Sequence, residues 1–147
     1  ENGELIEFLG HEMNAGNNAV VVRYPLSLTK GFGLVYIDLL DRKGELIDHD
    51  DYWHSSITAS GNRFFLDTMW WGNSSRNKEN CCDIIMYDNN TKEKFLLDTA
   101  FMPCHIQCYH PHPAGTAKGE KVLFINTRQS GNTDNYPYSR IVMLELK

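Results

Sequence analysis

Two stretches decide the fold: His54-Ser-Ser-Ile-Thr-Ala-Ser-Gly61-Asn-Arg-Phe-Phe-Leu-Asp-Thr68 and His112-Pro-Ala-Gly-Thr-Ala-Lys-Gly119-Glu-Lys-Val-Leu-Phe-Ile-Asn-Thr127. In both stretches a histidine stands seven residues before a glycine, and a run rich in β-forming residues follows and ends in a threonine. A third, weaker and shorter copy runs from His11 to Val22. The chain therefore contains an internal repeat, which has to be recognised before any fold is assigned.

Each copy of the repeat is followed by a second apolar run that ends in an acidic residue. These runs are Leu34-Val-Tyr-Ile-Asp38, Ile84-Ile-Met-Tyr-Asp88 and Ile141-Val-Met-Leu-Glu145. Polar turns and a further short strand follow the first two runs, so that the unit reads as four short strands. Four short strands in about 40–50 residues are typical of a β-propeller blade, and the alternative is a β-sandwich. We therefore predict an all-β chain built from antiparallel, four-stranded propeller blades.

The repeat spacing divides the whole chain, residues 1–147, into about three blades of a partial propeller. The approximate blades are residues 5–49, 50–100 and 101–147. Closed propellers usually have four to eight blades, and an open arc would expose sheet edges to solvent. We therefore expect the remaining blades to come from a longer polypeptide or from another chain.

The composition of the 147 residues excludes several classes of protein. Hydrophobic residues make up 41% of the chain, which is too many for a disordered segment, and the apolar runs are too short for a membrane helix. A net charge of −5 with no cluster of Lys or Arg argues against nucleic-acid binding. The four cysteines lack the spacing of a zinc ribbon and favour a reducing, cytoplasmic compartment over the periplasm.

The strongest candidate site is the run Gln107-Cys-Tyr-His110-Pro-His112-Pro. Two histidines separated by one residue on an extended strand lie on the same face of that strand. His54 occupies the repeat position equivalent to His112, and equivalent positions of neighbouring blades converge near the propeller axis. Three imidazoles and the amide oxygen of Gln107 predict a divalent-metal site, with Mn²⁺ favoured and Ca²⁺ or Zn²⁺ as alternatives.

Other interpretations of this run stay open. If His110 and His112 are considered without His54, a simpler interpretation is that both imidazoles form hydrogen bonds to loop carbonyls at the start of a strand and bind no metal. His105 and Cys108 are alternative ligands from the same segment. A propeller that binds glycan around a structural metal, or that binds another protein without a metal, is the alternative to an enzyme.

Further candidates lie outside the metal-binding run. His11 stands at the matching place in the first copy and is a candidate general base, because an ordinary imidazole has a pKa near 6.5; a core histidine is the alternative. Trp70 and Trp71 lie in a loop rich in Gly, Asn and Ser, suited either to stacking on a sugar ring or to capping a blade. Arg23 is a candidate partner for a substrate carboxylate, with Lys30, Arg76 and Arg128 as alternatives.

These motifs resemble the C-terminal half of the oligogalacturonate lyases. The residues that carry the resemblance are Gly10-His11-Glu12, Trp53-His54 and Gln107-x-x-His110-x-His112-Pro, followed by a glycine turn and Val-Leu-Phe. The resemblance implies a seven-bladed propeller that cleaves uronate-containing oligosaccharides by β-elimination. It implies that Gln107, His54, His110 and His112 bind a catalytic divalent metal, usually manganese, and that His11 is the base.

The chain departs from the family in two respects. Turns that read Ser-Pro-Asp-Gly in the family are Thr58-Ala-Ser-Gly61 and Thr116-Ala-Lys-Gly119 here, and the expected catalytic arginine has no assignable match. The segment from Phe65 to Thr68, together with His110-Pro, is also similar to ulvan lyases. That likeness implies a structural metal site, with cysteine at the position of Gln107.

Overall fold

Every regular element that the structure describes is a β-strand. The computed structural model describes residues 8–24, 33–68, 80–102, 110–128 and 138–146. The strands are β1 (Phe8–Ala15), β2 (Asn18–Tyr24), β3 (Gly33–Asp38), β4 (Lys43–Asp48), β5 (Tyr52–Ile57), β6 (Arg63–Thr68), β7 (Cys81–Asp88), β8 (Glu93–Phe101), β9 (Ala114–Gly115), β10 (Lys121–Arg128) and β11 (Tyr138–Glu145). The predicted all-β fold is confirmed.

The strands form three antiparallel sheets, each from consecutive strands of the chain. The first sheet has the order β1-β2-β3-β4, the second β5-β6-β7-β8 and the third β9-β10-β11. The third sheet thus shows three strands in the described residues rather than the predicted four. Its first strand has only two residues, because Pro111 and Pro113 have no N–H group to donate to a ladder. The blade limits at residues 49/50 and 100/101 stay a prediction.

The sequence repeat corresponds to a repeated turn. In the first copy the N–H of Gly61 donates to the Thr58 carbonyl at 2.9 Å, and the N–H of Arg63 donates to Thr58 Oγ1 at 3.2 Å. In the second copy Gly119 and Lys121 make the same two bonds to Thr116, at 2.8 and 3.2 Å. Both glycines have a φ near +70°, at +72° and +73°, which explains the glycine in each copy.

The acidic residue at the end of the second apolar run also has a structural role. Asp38 Oδ1 accepts hydrogen bonds from the N–H groups of Leu40 and Asp41, at 2.8 and 3.0 Å. In the second sheet, Asp88 Oδ1 accepts the equivalent bonds from Asn90 and Thr91, at 2.9 and 3.2 Å. An aspartate that bonds to the backbone two and three residues ahead stabilises a tight turn. The recurring acid therefore closes the hairpins β3–β4 and β7–β8.

The second sheet lies between the other two and is buried on both faces. One face contributes Phe64, Leu66, Ile85 and Tyr87 to a cluster with Val20 and Leu34 of the first sheet. The opposite face packs Ile84 and Ala100 against Phe124 of the third sheet. A sheet that is covered on both sides needs consecutive rather than alternating apolar residues, which explains the continuous run Phe64-Phe65-Leu66.

Polar contacts also join the first two sheets. The Tyr52 hydroxyl, on a fully buried side chain, donates to Asp48 Oδ2, and Lys94 Nζ lies 3.1 Å from the same oxygen. Burial and the hydrogen bond to Asp48 raise the pKa of Tyr52 far above its ordinary value. The tyrosine therefore stays neutral and anchors the end of β4 to the second sheet.

Candidate metal centre

Three of the predicted ligands lie together at the boundary between the second and third sheets. One ligand atom from each of His54, His110 and His112 lies within 4.8 Å of the other two. The ring centroids are 5.3 Å apart for His54 and His110, and 3.9 Å apart for His54 and His112. His54 and His110 are 5% and 1% exposed, so these two side chains are largely removed from water, while His112 is half-buried.

His54 lies at an irregularity in β5. The pairing of β5 with β6 shifts register between Tyr52 and Ser55, which is the position of a β-bulge. Bulges change the direction in which a side chain leaves a strand and are common next to functional sites. The regular pairing on the hairpin side of this shift places Asp67 of β6 opposite His54, where its carboxylate contacts both the backbone and the ring of His54.

Asp67 is the functional candidate that the sequence patterns miss, because an Asp-Thr pair at a strand end suggests only a structural role. Its Oδ2 atom lies 2.8 Å from His54 Nδ1, and its Oδ1 atom accepts the His54 N–H at 2.7 Å. The signal that finds it is the hairpin register: counting back from the Thr58–Arg63 bond places Asp67 opposite His54. A carboxylate on the second nitrogen of an imidazole is the usual outer partner of a metal-ligating histidine.

His110 and His112 converge for a reason other than the predicted one. The prediction placed both on one face of an extended strand, but residues 110–113 lie outside any strand and His112 has a φ of +45°. The flanking prolines remove two ladder donors, and the left-handed backbone at His112 turns the segment. Such a conformation costs a non-glycine residue about 1–3 kcal/mol and is found preferentially at functional sites.

Hydrogen bonds hold this segment against both neighbouring strands. The N–H of Ile125 in β10 donates to the Pro111 carbonyl at 2.8 Å. The N–H of His112 donates to Asp67 Oδ2 at 3.2 Å. The position of His112 is therefore fixed from the third sheet and from the second sheet together.

Trp53 forms an apolar wall beside the histidines. Its ring lies parallel to that of His54, with 9° between the planes, and its centroid is 4.1 Å from that of His110. The indole is only 7% exposed. An apolar wall of this kind limits solvent access and strengthens electrostatic interactions inside the site.

The donor set suits a divalent metal. Neutral imidazole nitrogens bind Zn²⁺, Mn²⁺ and related ions, and the contact of Asp67 with Nδ1 makes Nε2 the coordinating atom of His54. Cys82 is a less suitable ligand, because burial, with a smaller contribution from the Asp67 carboxylate, raises the pKa of its thiol well above the ordinary range. The three histidines and Asp67 thus fit a metal held mainly by nitrogen.

The other predicted site residues fall into two groups. His11 lies on β1 at an irregularity in the pairing between Gly10 and Met13, and Arg23 lies on β2, where its backbone pairs with Gly33. Gln107, Trp70, Trp71 and the alternative ligands His105 and Cys108 lie outside the described residues. The structure therefore brings three predicted ligands together, and the roles of all these residues stay predictions.

Comparisons with known proteins identify the fold. No protein-family model matches the chain, and no curated protein has a significantly similar sequence. Among solved structures, an oligogalacturonate lyase in complex with manganese has a TM-score of 0.66 at 14% identity, with 92% of this chain and 35% of that chain covered. A second oligogalacturonate lyase, from Vibrio parahaemolyticus, has a TM-score of 0.64 at 17% identity, with 96% and 37% covered.

Peptidases share the same architecture. The β-propeller domain of the Trilobed protease from Pyrococcus furiosus has a TM-score of 0.66 at 10% identity, and 95% of this chain matches 39% of that chain. At these identities the matches confirm the propeller fold alone, and the chain spans well under half of each of these structures. Separately, the described residues include no helix with the length and apolarity needed to cross a membrane.

Proposed function

We propose that this chain carries the metal centre of a polysaccharide lyase, which cleaves uronate-containing oligosaccharides such as oligogalacturonate by β-elimination. The observation that supports the proposal most directly is the cluster of His54, His110 and His112, of which the first two are buried, with Asp67 on the Nδ1 atom of His54. The sequence adds Gln107 three residues before His110, as in the resemblance to the lyases. A fold shared with a manganese-bound oligogalacturonate lyase is compatible with this role.

In this proposal the three histidines and the amide oxygen of Gln107 hold the metal. Mn²⁺ is the favoured ion for a set of nitrogen and neutral oxygen ligands, with Ca²⁺ and Zn²⁺ as the alternatives. When bound, the metal supplies positive charge beside the uronate carboxylate and so favours removal of the adjacent proton. Arg23 is the proposed partner of a substrate carboxylate, and Trp70 and Trp71 are proposed to stack on sugar rings.

His11 is the proposed base. Its imidazole takes the C5 proton of the uronate, and the electrons of that C–H bond form a C4–C5 double bond. The bond between C4 and the glycosidic oxygen breaks, this oxygen takes up a proton from water, and the protonated imidazole returns its proton to the hydroxide that remains. The products are a shortened oligosaccharide and an unsaturated uronide.

The lyase proposal is tested by the ultraviolet absorbance of the unsaturated product. We expect the protein to form product from oligogalacturonate in the presence of Mn²⁺, and a chelator to stop the reaction. Because a positioned base contributes about 100-fold to 10,000-fold, the His11→Ala variant should lose activity by at least about 100-fold. Its Mn²⁺ affinity should be unchanged. A metal-loaded protein that forms no product from any uronide would contradict the proposal.

A propeller with a structural metal is the second candidate, and one observation favours it. His110 is 1% exposed and Trp53 covers it, an enclosure more typical of a structural site than of one open to substrate. In that case chelation should lower the melting temperature while the His11→Ala substitution leaves glycan affinity unchanged. Formation of the unsaturated product separates the candidates, because only the lyase forms it.

We also propose that further blades of a longer polypeptide complete the propeller by packing on the outer face of the third sheet. This face consists of Leu123, Ile141 and Met143, which are 37%, 74% and 53% exposed. Leu123 and Met143 are direct partners in the β10–β11 ladder, so the face is continuous. The opposite face of the same sheet already packs on the second sheet, as adjacent blades do.

Cysteine labelling tests this packing. A cysteine at Ile141 should react rapidly with a thiol reagent in the 147-residue chain, and at least about tenfold more slowly in the full natural polypeptide. A cysteine at Leu40, which is 71% exposed in the β3–β4 turn, is the matched control and should react equally in both. Equal labelling of the Ile141→Cys variant in both proteins would show that no blade covers this face. Protection that depends on protein concentration would indicate a second copy instead.

A further inference from the structure

Asp67 contacts two of the three clustered histidines and is fully buried. Its carboxylate accepts the backbone N–H of His54 at 2.7 Å and lies 2.8 Å and 3.1 Å from the Nδ1 atom of the same residue. It also accepts the backbone N–H of His112 at 3.2 Å. Its exposed fraction is zero. A single side chain of β6 thus bonds to β5 and to the segment that precedes β9.

The contact with the His54 ring determines which nitrogen can bind a metal. A carboxylate accepts hydrogen bonds and cannot donate them, so the Nδ1 atom of His54 carries the proton. The Nε2 atom is then the one with a lone pair for coordination. The same bond fixes the orientation of the ring and increases its donor strength.

The contact with the His112 backbone acts on the second ligand in a different way. His112 has a φ of +45°, which few non-glycine residues adopt without support from their surroundings. The bond to Asp67 provides such support from the second sheet, while the Ile125 bond to the Pro111 carbonyl provides it from the third sheet. Asp67 therefore acts on the ring of one ligand and on the backbone of another.

We propose that Asp67 is the positioning residue of the metal centre, which sets the tautomer of His54 and the placement of His112 and thereby the affinity for the metal. The inference rests on the metal site of the proposed function, but not on its lyase chemistry. It assigns to Asp67 no contact with the metal or with a substrate. Its role is exerted through the two histidines alone.

The Asp67→Asn substitution is the sharpest test, because it keeps the shape of the side chain and replaces one acceptor oxygen with a donor NH₂ group. If that NH₂ group faces Nδ1, His54 must shift its proton to Nε2, which then has no lone pair for coordination. We expect Mn²⁺ affinity, measured by calorimetry with the metal alone, to fall by about 10-fold to 100-fold. Nitrogen NMR of the imidazole should show His54 with its proton on Nδ1 in the unaltered protein and on Nε2 in the variant.

The Asp98→Asn substitution is the matched control. Asp98 is also followed by threonine near a strand end of the same sheet, and its Oδ1 atom accepts the Thr99 N–H at 2.7 Å. We expect this variant to keep the Mn²⁺ affinity and the His54 tautomer of the unaltered protein. Equal loss of affinity in both variants would mean that any lost carboxylate weakens the sheet, and would overturn the positioning role.

The outcomes separate this inference from the proposed function. If the unaltered protein binds no divalent metal, the metal centre itself is wrong. If it binds Mn²⁺ and the Asp67→Asn variant binds equally well, the metal centre stands and the role of Asp67 is overturned. If the variant does not fold, the NMR measurement of the His54 tautomer in the unaltered protein still tests the proposal. A proton on Nε2 would contradict it.

Discussion

The His110→Ala substitution is expected to abolish Mn²⁺ binding, and with it all metal-dependent activity. His110 is 1% exposed and lies with His54 and His112 in one cluster. Because losing an outer-shell partner typically costs about 10-fold to 100-fold in metal affinity, losing a ligand should cost roughly 1,000-fold or more. Calorimetric titration with Mn²⁺ measures the affinity, and the absorbance of the unsaturated product measures the activity.

The control for this prediction is the His49→Ala substitution. His49 lies in the exposed connection between β4 and β5, outside the histidine cluster, so its loss should change neither affinity nor activity. The His110→Gln variant retains a polar side chain of similar size. It therefore shows whether a loss of Mn²⁺ affinity comes from the missing imidazole or from a packing defect. Mn²⁺ affinity that survives in a folded His110→Ala protein would remove His110 from the ligand set.

The Gly115→Ala substitution is expected to give the largest loss of stability. A Cβ atom at this position would overlap with Cδ2 and Cε2 of Phe65, whose side chain is fully buried between the second and third sheets. Neither the ring nor β9 can yield easily, because the Gly115 N–H also donates to Ser56 Oγ at 3.1 Å. Overpacking of a core usually costs about 1–3 kcal/mol, and we expect the upper part of that range here.

Thermal unfolding measures this effect. A loss of about 2–3 kcal/mol should lower the melting temperature by roughly 5–10 °C in a chain of this size. Gly44→Ala is the matched control, since a Cβ there would meet Val35 at an ordinary contact distance of 3.6 Å, and it should be close to neutral. If both variants melt together, the approach of Phe65 to Gly115 is not tight.

Much of the fold could be predicted from the sequence, because it depends on local sequence patterns. The spacing of Thr58 and Gly61, repeated at Thr116 and Gly119, specifies one turn geometry, and a turn depends on only a few neighbouring residues. The run of β-forming residues that follows the glycine in each copy likewise predicts a strand, and β6 and β10 lie there. These features need no knowledge of distant contacts.

Only part of the site could be predicted from the sequence, because the site also depends on contacts between distant residues. The convergence of His54, His110 and His112 followed from the repeat, although the backbone that produces it is a left-handed residue between prolines and not an extended strand. The pairing of Asp67 with His54 can be counted from the β5–β6 hairpin, but its bond to the backbone of His112 depends on the docking of the third sheet. That docking is a property of the assembled sheets, which no local pattern reports.

The hydrogen bond between Asp67 and His112 joins residues 45 positions apart. Closing so long a segment costs more entropy than closing a hairpin, so contacts of this kind form after the local strand pairs. The hairpin of His54 and Asp67 should therefore fold before the segment of His110 and His112 reaches it. In the proposed metal centre, binding of the ion would then follow docking of the third sheet, because a chain with only its first two sheets formed would lack two of the three clustered histidines.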